Sequence, residues 1–206
     1  MKKILITGFE AFGGEIINPS YEAVKRLPST ILGSQIVKLE VPVSYTDSIN
    51  IVMNCIKKHT PNIVILVGQA GGRKEISLER VAINIDDSNM PDNRGIKLID
   101  TRISSDGDNA YFATLPIKLI NDSLLEAKLK SGISNSAGTY LCNHLMYGIL
   151  HYLIQNKLSK IKAGFIHVPY VNEQVRDKED VFAMDLQEIV KALEIIVKVT
   201  LEVEHD

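Results

Sequence analysis

Ile63-Val64-Ile65-Leu66-Val67, running straight into Gly68-Gln69-Ala70-Gly71-Gly72, is the stretch from which the fold is read. A short, unbroken, β-branched apolar run bounded by glycine reads as a strand buried on both faces. Such a strand belongs inside a parallel sheet with helices on either side, and its glycine-rich end reads as a flexible loop. A second run of this kind, Ile4-Leu5-Ile6-Thr7, ends in Gly8-Phe9-Glu10-Ala11-Phe12-Gly13-Gly14. Asn18 followed by Pro19 gives an N-cap and a proline at the first helical position, so a helix is expected over 19–26.

Outward from these anchors, strands and helices alternate. A strand is expected over 36–43 and a helix over 47–59, with Ile51, Val52, Cys55 and Ile56 on one face and Cys55 in the core. Residues 79–85 alternate, placing Glu79, Val81, Ile83 and Ile85 on one face and Arg80 and Asn84 on the other. Residues 87–110 are polar and rich in turn formers, a long excursion of the kind that often carries function. Helices are expected over 116–130 and 140–155, a short strand before Asn135, and a strand over 164–168 stopped by Pro169. The last helix begins at Asp185, with Glu188 completing a capping-box pattern, and runs to about residue 203. The expected fold class is α/β: one domain over 1–206, a three-layer α/β/α sandwich on a mixed, mostly parallel sheet.

Composition narrows the function classes. With 23 basic and 25 acidic residues and no basic stripe, nucleic acid is not an expected partner. No apolar run is long enough to span a bilayer, so no membrane partner is expected. Met1-Lys2-Lys3-Ile4-Leu5-Ile6-Thr7-Gly8 looks superficially like a secretion signal, but its apolar part is too short and Glu10 follows. The two cysteines stand far apart, which fits a reducing, cytoplasmic setting better than a disulfide framework.

In doubly covered sheets, sites gather at the carboxyl ends of the strands. The 8–14 loop, the 69–72 loop, the approach to Cys142 and His167 all fall there. Cys142 follows the small-residue turn Asn135-Ser136-Ala137-Gly138-Thr139 and opens an apolar helix. The positive end of a helix favours thiolate over thiol, and the thiolate is the nucleophile. Five histidines are available as its base. His144 and His151 point to the other side of the same helix, His59 ends a lysine-rich turn, and His205 lies in the tail. His167, near the end of an apolar strand, remains. Glu79, expected to be partly buried, is one partner able to orient the His167 ring. The competing reading leaves Cys142 and His167 as ordinary core residues and Glu79-Arg80 as a solvated strand end. Phe9 and Phe12 either wall a small apolar slot or pack in the core. The loop over 8–14 lacks the lysine and hydroxyl of a P-loop and the spacing of a dinucleotide fingerprint.

Taken together, several blocks resemble the pyroglutamyl peptidase I (pyrrolidone-carboxylate peptidase) family. They are Thr7-Gly8-Phe9-Glu10-Ala11-Phe12-Gly13-Gly14 with Asn18-Pro19-Ser20, Val67-Gly68-Gln69-Ala70-Gly71-Gly72-Arg73, Glu79-Arg80-Val81-Ala82-Ile83-Asn84, Pro91-Asp92-Asn93, the stretch from Ser134 to His144, and Gly164-Phe165-Ile166-His167-Val168-Pro169-Tyr170. The resemblance implies a cysteine peptidase that removes N-terminal pyroglutamate from peptides, with Cys142 as nucleophile, His167 as base and acid, and Glu79 as orienter. It implies Phe9, Phe12, Asn18 and Gln69 around the substrate. It also implies a sandwich resembling that of the purine nucleoside phosphorylases, no cofactor and no metal, a cytoplasmic location, and a homo-oligomer, tetramer or dimer. Three positions depart from the pattern: Asn89 where arginine is usual, Ala11 in place of proline, and Asp108-Asn109 in place of Ala-Pro. Rival readings are a related cysteine amidase or deamidase, a weakly active lactam-binding module and, third, a nucleotide-binding domain.

Overall fold

The computed structural model describes residues 1–203, so His205 lies outside the described residues. The run read first, β4 (Ile63–Gln69), is buried at every position. It lies between β1 (Lys3–Phe9) and β9 (Lys162–Val168), parallel to both. Outside β1 come β3 (Ser34–Val41), parallel, and β2 (Thr30–Ile31), antiparallel. Beyond β9 come β5 (Ile76–Glu79), antiparallel to it, and β8 (Ser131–Ser134), parallel to β5. The sheet order is thus β2-β3-β1-β4-β9-β5-β8, mixed and mostly parallel.

Successive strand residues point to opposite faces, and each face has its own helices. Ile4, Ile6, Ile63, Ile65, Val67, Ile166 and Val168 pack under α1 (Pro19–Arg26), α3 (Ile117–Glu126) and α5 (Leu186–Val203). Leu5, Phe9, Val64, Leu66 and Phe165 pack under α2 (Ser48–His59) and α4 (Leu141–Gln155). Each such side chain contributes about 1.5–3 kcal/mol by leaving water. The result is the expected three-layer α/β/α sandwich.

Local signals place several boundaries where expected. The Asn18 carboxamide oxygen accepts from the Ser20 N–H at 3.1 Å, with Pro19 at the first helical position. Asp185 accepts from the Gln187 N–H at 2.7 Å at the start of α5. The strand expected over 36–43 lies two residues earlier, because Pro42 has no N–H to continue the ladder. The sequence reading missed β2, which reaches β3 through Leu32-Gly33, both at positive φ, a two-residue hairpin turn. Cys55 and Ile51 are half-buried rather than core; Val52 and Ile56 carry the buried face of α2.

The alternating strand expected over 79–85 is a larger correction. It is two strands: β5 ends at Glu79, and β6 (Val81–Ile83) pairs with β7 (Ala110–Phe112) in a separate ribbon. Arg80 is the crossing point, its N–H donating to Ser134 O at 2.8 Å and its carbonyl accepting from Ala113 N at 2.9 Å. The crossing resets the alternation by one residue, which inverts the faces. Ala82 and Asn84 are buried, whereas Ile83 is 37% exposed. Glu79 is fully buried for a different reason: β5 is covered on both sides. Among the described residues, no helix is long and apolar enough to cross a membrane.

Candidate active site

The central strands β1, β4 and β9 end side by side, and the N-terminus of α4 arrives over them. Cys142 is the second residue of that helix. The first intrahelical bond is made by the His144 N–H, to Tyr140 O at 3.0 Å, so the N–H groups of 141–143 lie before the ladder begins and point out of the helix end. The helix start is bolted down by buried Asn143. Its Oδ1 accepts from the Ile83 N–H, and its Nδ2 donates to the carbonyls of Ile83 and Ile85, each at 2.9 Å.

Gly68 is the register partner of His167 on the neighbouring parallel strand, so both present their side-chain positions on the same face. A Cβ on Gly68 would stand 3.0 Å from Cys142 Sγ and 2.7 Å from Phe165 Cζ. The bare glycine therefore makes the space in which the thiol reaches the sheet beside His167. Because β5 runs against β9, Glu79 lies beside Phe165, one same-face position before His167, and reaches the imidazole diagonally. His167 Nδ1 and Glu79 Oε1 are 2.7 Å apart.

Electrostatics assign the tautomer. Burial opposes ionisation of Glu79. The hydrogen bond and charge of His167, with help from Ser134 and Arg73, nevertheless bring its carboxyl below the usual range. An ionised carboxylate only accepts, so Nδ1 carries the hydrogen and Nε2 keeps the basic lone pair. Burial pushes His167 below the ordinary imidazole value, Glu79 pulls it upward, and Arg73 pushes it down. The surroundings of Cys142 run against the resting thiolate expected from the helix start. Although the residue keeps some surface exposure, its sulfur is packed within the site. That burial, reinforced by the negative Glu79 and only partly offset by Arg73, pushes the thiol up to about 12. Both directions favour a neutral thiol and a neutral imidazole at rest.

A prediction separates this state from a preformed ion pair. Alkylation of Cys142 by iodoacetamide should rise about tenfold per pH unit from pH 6 to 9, following the thiolate fraction. A rate already level at pH 6 would show a thiolate–imidazolium pair instead. The measurement is a mass-spectrometric labelling time course at each pH.

Phe9, Phe12, Asn18 and Gln69 line one slot with Val43, Tyr140, Leu141 and Cys142. Its open volume is about 20 Å³, room for roughly one water at a time. Phe12, on the loop after β1, is half-buried. Asn18 is largely committed to structure: its Oδ1 also accepts from Ser20 Oγ at 2.7 Å, and its Nδ2 donates to Glu10 O at 2.9 Å. Gln69 Oε1 accepts from Gln174 Nε2 at 2.9 Å. Wider grooves of about 530 and 390 Å³ lie along α2 and α4, lined by other residues.

The remaining histidines within the described residues do other work. His144 is buried, with Nδ1 2.7 Å from Asp86 Oδ2 and Nε2 3.1 Å from Tyr45 O. His151 faces Tyr111 and Ser104, and the carbonyl of His59 accepts from Lys3 Nζ. Asn89 is exposed. The sequence reading missed Asn143, Tyr140, Gln174 and Arg73. A lone asparagine in an apolar helix, next to the cysteine, was the signal available for the first; none of the others carried a distinguishing local pattern.

Comparison with known proteins shows the family. The Pyroglutamyl peptidase family profile matches residues 2–203. The pyrrolidone-carboxylate peptidase of Thermosipho africanus is 54% identical over 99% of both chains. That of Fusobacterium nucleatum is 48% identical over 100% of this chain and 96% of its own. Among solved structures, pyroglutamyl peptidase I from Bacillus amyloliquefaciens superposes with a TM-score of 0.93 at 44% identity, covering 97% of this chain and 94% of that one. Pyrrolidone carboxyl peptidase from Thermococcus litoralis gives 0.94 at 39%, covering 98% and 94%. With this similarity along nearly its whole length, the chain belongs to the pyroglutamyl peptidase family.

Proposed function

We propose that this protein is a cysteine peptidase that removes N-terminal pyroglutamate from peptides. One observation carries the reading: Cys142 lies at a slot walled by two phenylalanines, beside a histidine held by a buried carboxylate. Pyroglutamate is a neutral five-membered lactam without a free α-amine. Aromatic walls suit its ring faces, and backbone groups at the strand ends can pair with its N–H and carbonyl.

In this reading Cys142 is the nucleophile, His167 the base and acid, and Glu79 the residue that orients His167. Phe9, Phe12, Asn18 and Gln69 surround the substrate. His167 Nε2 takes the thiol proton as sulfur attacks the scissile carbonyl. The tetrahedral oxyanion is met by the N–H of Cys142 at the helix start. Collapse breaks the C–N bond, and the departing peptide amine takes its proton from His167. Water, deprotonated by the same nitrogen, then hydrolyses the thioester and releases pyroglutamate. Because His167 must be neutral to begin, kcat/KM should rise with pH through a value below the ordinary imidazole range.

The whole chain is read as one peptidase domain acting in the cytoplasm without a cofactor. A homo-oligomer, tetramer or dimer, is part of the proposal. Phe112 is 68% exposed, and two shallow grooves meet at it, one shared with Leu119 and the other with Ile154. Apolar surface of this kind commonly marks a protein contact.

The test compares release of an amine reporter from pyroglutamyl, prolyl and glutaminyl amides. The pyroglutamyl amide should be hydrolysed at least about 100-fold faster than the other two, since a slot that pairs with the lactam groups loses those pairings with either competitor. Faster glutaminyl hydrolysis would favour an amidase, and tight lactam binding without turnover a binding module.

A further inference from the structure

We propose that Arg73 is a positioning residue of this site: its guanidinium fork clamps the Glu79 carboxylate with one nitrogen and the Ser136 carbonyl with another, and so fixes how Glu79 holds His167. This inference rests on the reading of Cys142, His167 and Glu79 given above. The distances are 2.5 Å from Nη1 to Glu79 Oε1 and 3.0 Å from Nη2 to Ser136 O.

Glu79 is the reason a clamp is needed. Its Oε1 receives both His167 Nδ1 and Arg73 Nη1, while its buried Oε2 has no hydrogen-bond partner among the described residues. The nearby Ser134 hydroxyl instead donates to Ser136 O at 3.0 Å. A carboxylate engaged through a single oxygen can rotate and present the other. Two donors arriving at Oε1 from different directions remove that freedom, and only one of them, Arg73, plays no part in the proton transfers. A planar guanidinium holds its two acceptors in a rigid fork on separate nitrogens, whereas an ammonium donates from one freely rotating point.

The backbone delivers Arg73 to this place. Gly71 packs against the Tyr170 ring, which leaves no room for a Cβ, and Gly72 has φ +90. The turn closes with Arg73 N–H donating to Ala70 O at 3.2 Å. The Ser136 carbonyl belongs to the segment that leads into α4, so the same fork ties the loop after β4 to the approach of Cys142. The charge of Arg73 also acts on all three proposed reacting groups: it favours ionised Glu79, neutral His167 and ionised Cys142.

The experiment compares the full-length protein with Arg73→Met and Arg73→Lys on a pyroglutamyl amide across pH. Folding is checked by circular dichroism, and the His167 Nδ1 proton is followed by low-field NMR. Arg73→Met should lower kcat about 10- to 100-fold, the scale of small misplacements in a reacting set, with KM changed less than about threefold. The acid limb of its kcat/KM profile should move to higher pH, since the cation opposing His167 protonation is gone. Arg73→Lys keeps the charge but not the fork, so its acid limb should stay in place while kcat still falls. Wild-type kcat in Arg73→Met overturns the proposal. So does a loss expressed mainly in KM with the acid limb unmoved, which would make Arg73 a substrate contact or a loop tether. Should Arg73→Met not fold, Arg73→Lys decides: undiminished kcat overturns the clamp. Should the wild type not turn over at all, the peptidase reading fails. The clamp is then judged by whether the His167 Nδ1 resonance moves in Arg73→Lys.

Discussion

Replacing Cys142 with serine should lower kcat/KM for a pyroglutamyl amide by at least about 10⁴-fold, or some 5 kcal/mol of transition-state stabilisation. The oxygen is a poorer nucleophile at this pH, and the site adds to the deficit. Burial that pushes the thiol up to about 12 acts on an alkoxide as well, from a much higher starting point. His167, itself held low by burial, is too weak a base to remove that proton at a useful rate. The substitution removes little volume, so the packing against Phe165 and the Gly68 backbone should survive and the melting temperature should change by only a few degrees. Steady-state assays beside a thermal melt test this, and a serine variant that turned over within tenfold of wild type would remove Cys142 from the chemistry.

Glu79→Gln should be nearly as damaging, with kcat down about 10³- to 10⁴-fold, the scale seen when the carboxylate that orients a catalytic imidazole becomes an amide. Glu79 Oε1 now accepts from His167 and from Arg73, at 2.7 and 2.5 Å. A carboxamide has one accepting oxygen and an NH₂ that only donates. If the oxygen stays in place, half of the pair's charge assistance is lost. If the amide turns, its NH₂ faces His167 and selects the wrong tautomer. The pH profile carries a sign of its own. The bond and charge of Glu79 raise His167 against the effect of burial, so removing the charge lets the histidine fall further. The acid limb should therefore move to lower pH at a much lower plateau, opposite to the shift expected for Arg73→Met. An unchanged limb with full activity would show that Glu79 does not orient His167.

Much of the fold was legible because burial leaves its mark in the order of residues. The run 63–67 must be apolar on both faces to sit mid-sheet, and it is. Asn18-Pro19 starts α1 where a cap and a proline require it. The site was partly legible for the same reason, since strand ends and helix starts are where irregular backbone collects. The alternation over 79–85 was misread because a strand that leaves one sheet for another at Arg80 keeps the same local pattern while its faces invert.

By itself, the sequence determined the elements, the layers and the short list from which Cys142, His167 and Glu79 were drawn, since these depend on periodicity and caps acting over a few residues. Three things were decided only by the tertiary structure. Gly68 makes room for the thiol beside His167. A single carboxylate oxygen is shared between His167 and Arg73. Burial and the charge of Glu79 push the Cys142 thiol up to about 12. The reason is common to all three: desolvation and hydrogen-bond geometry depend on groups brought together from distant parts of the chain, and no local pattern records which neighbours will exclude the water.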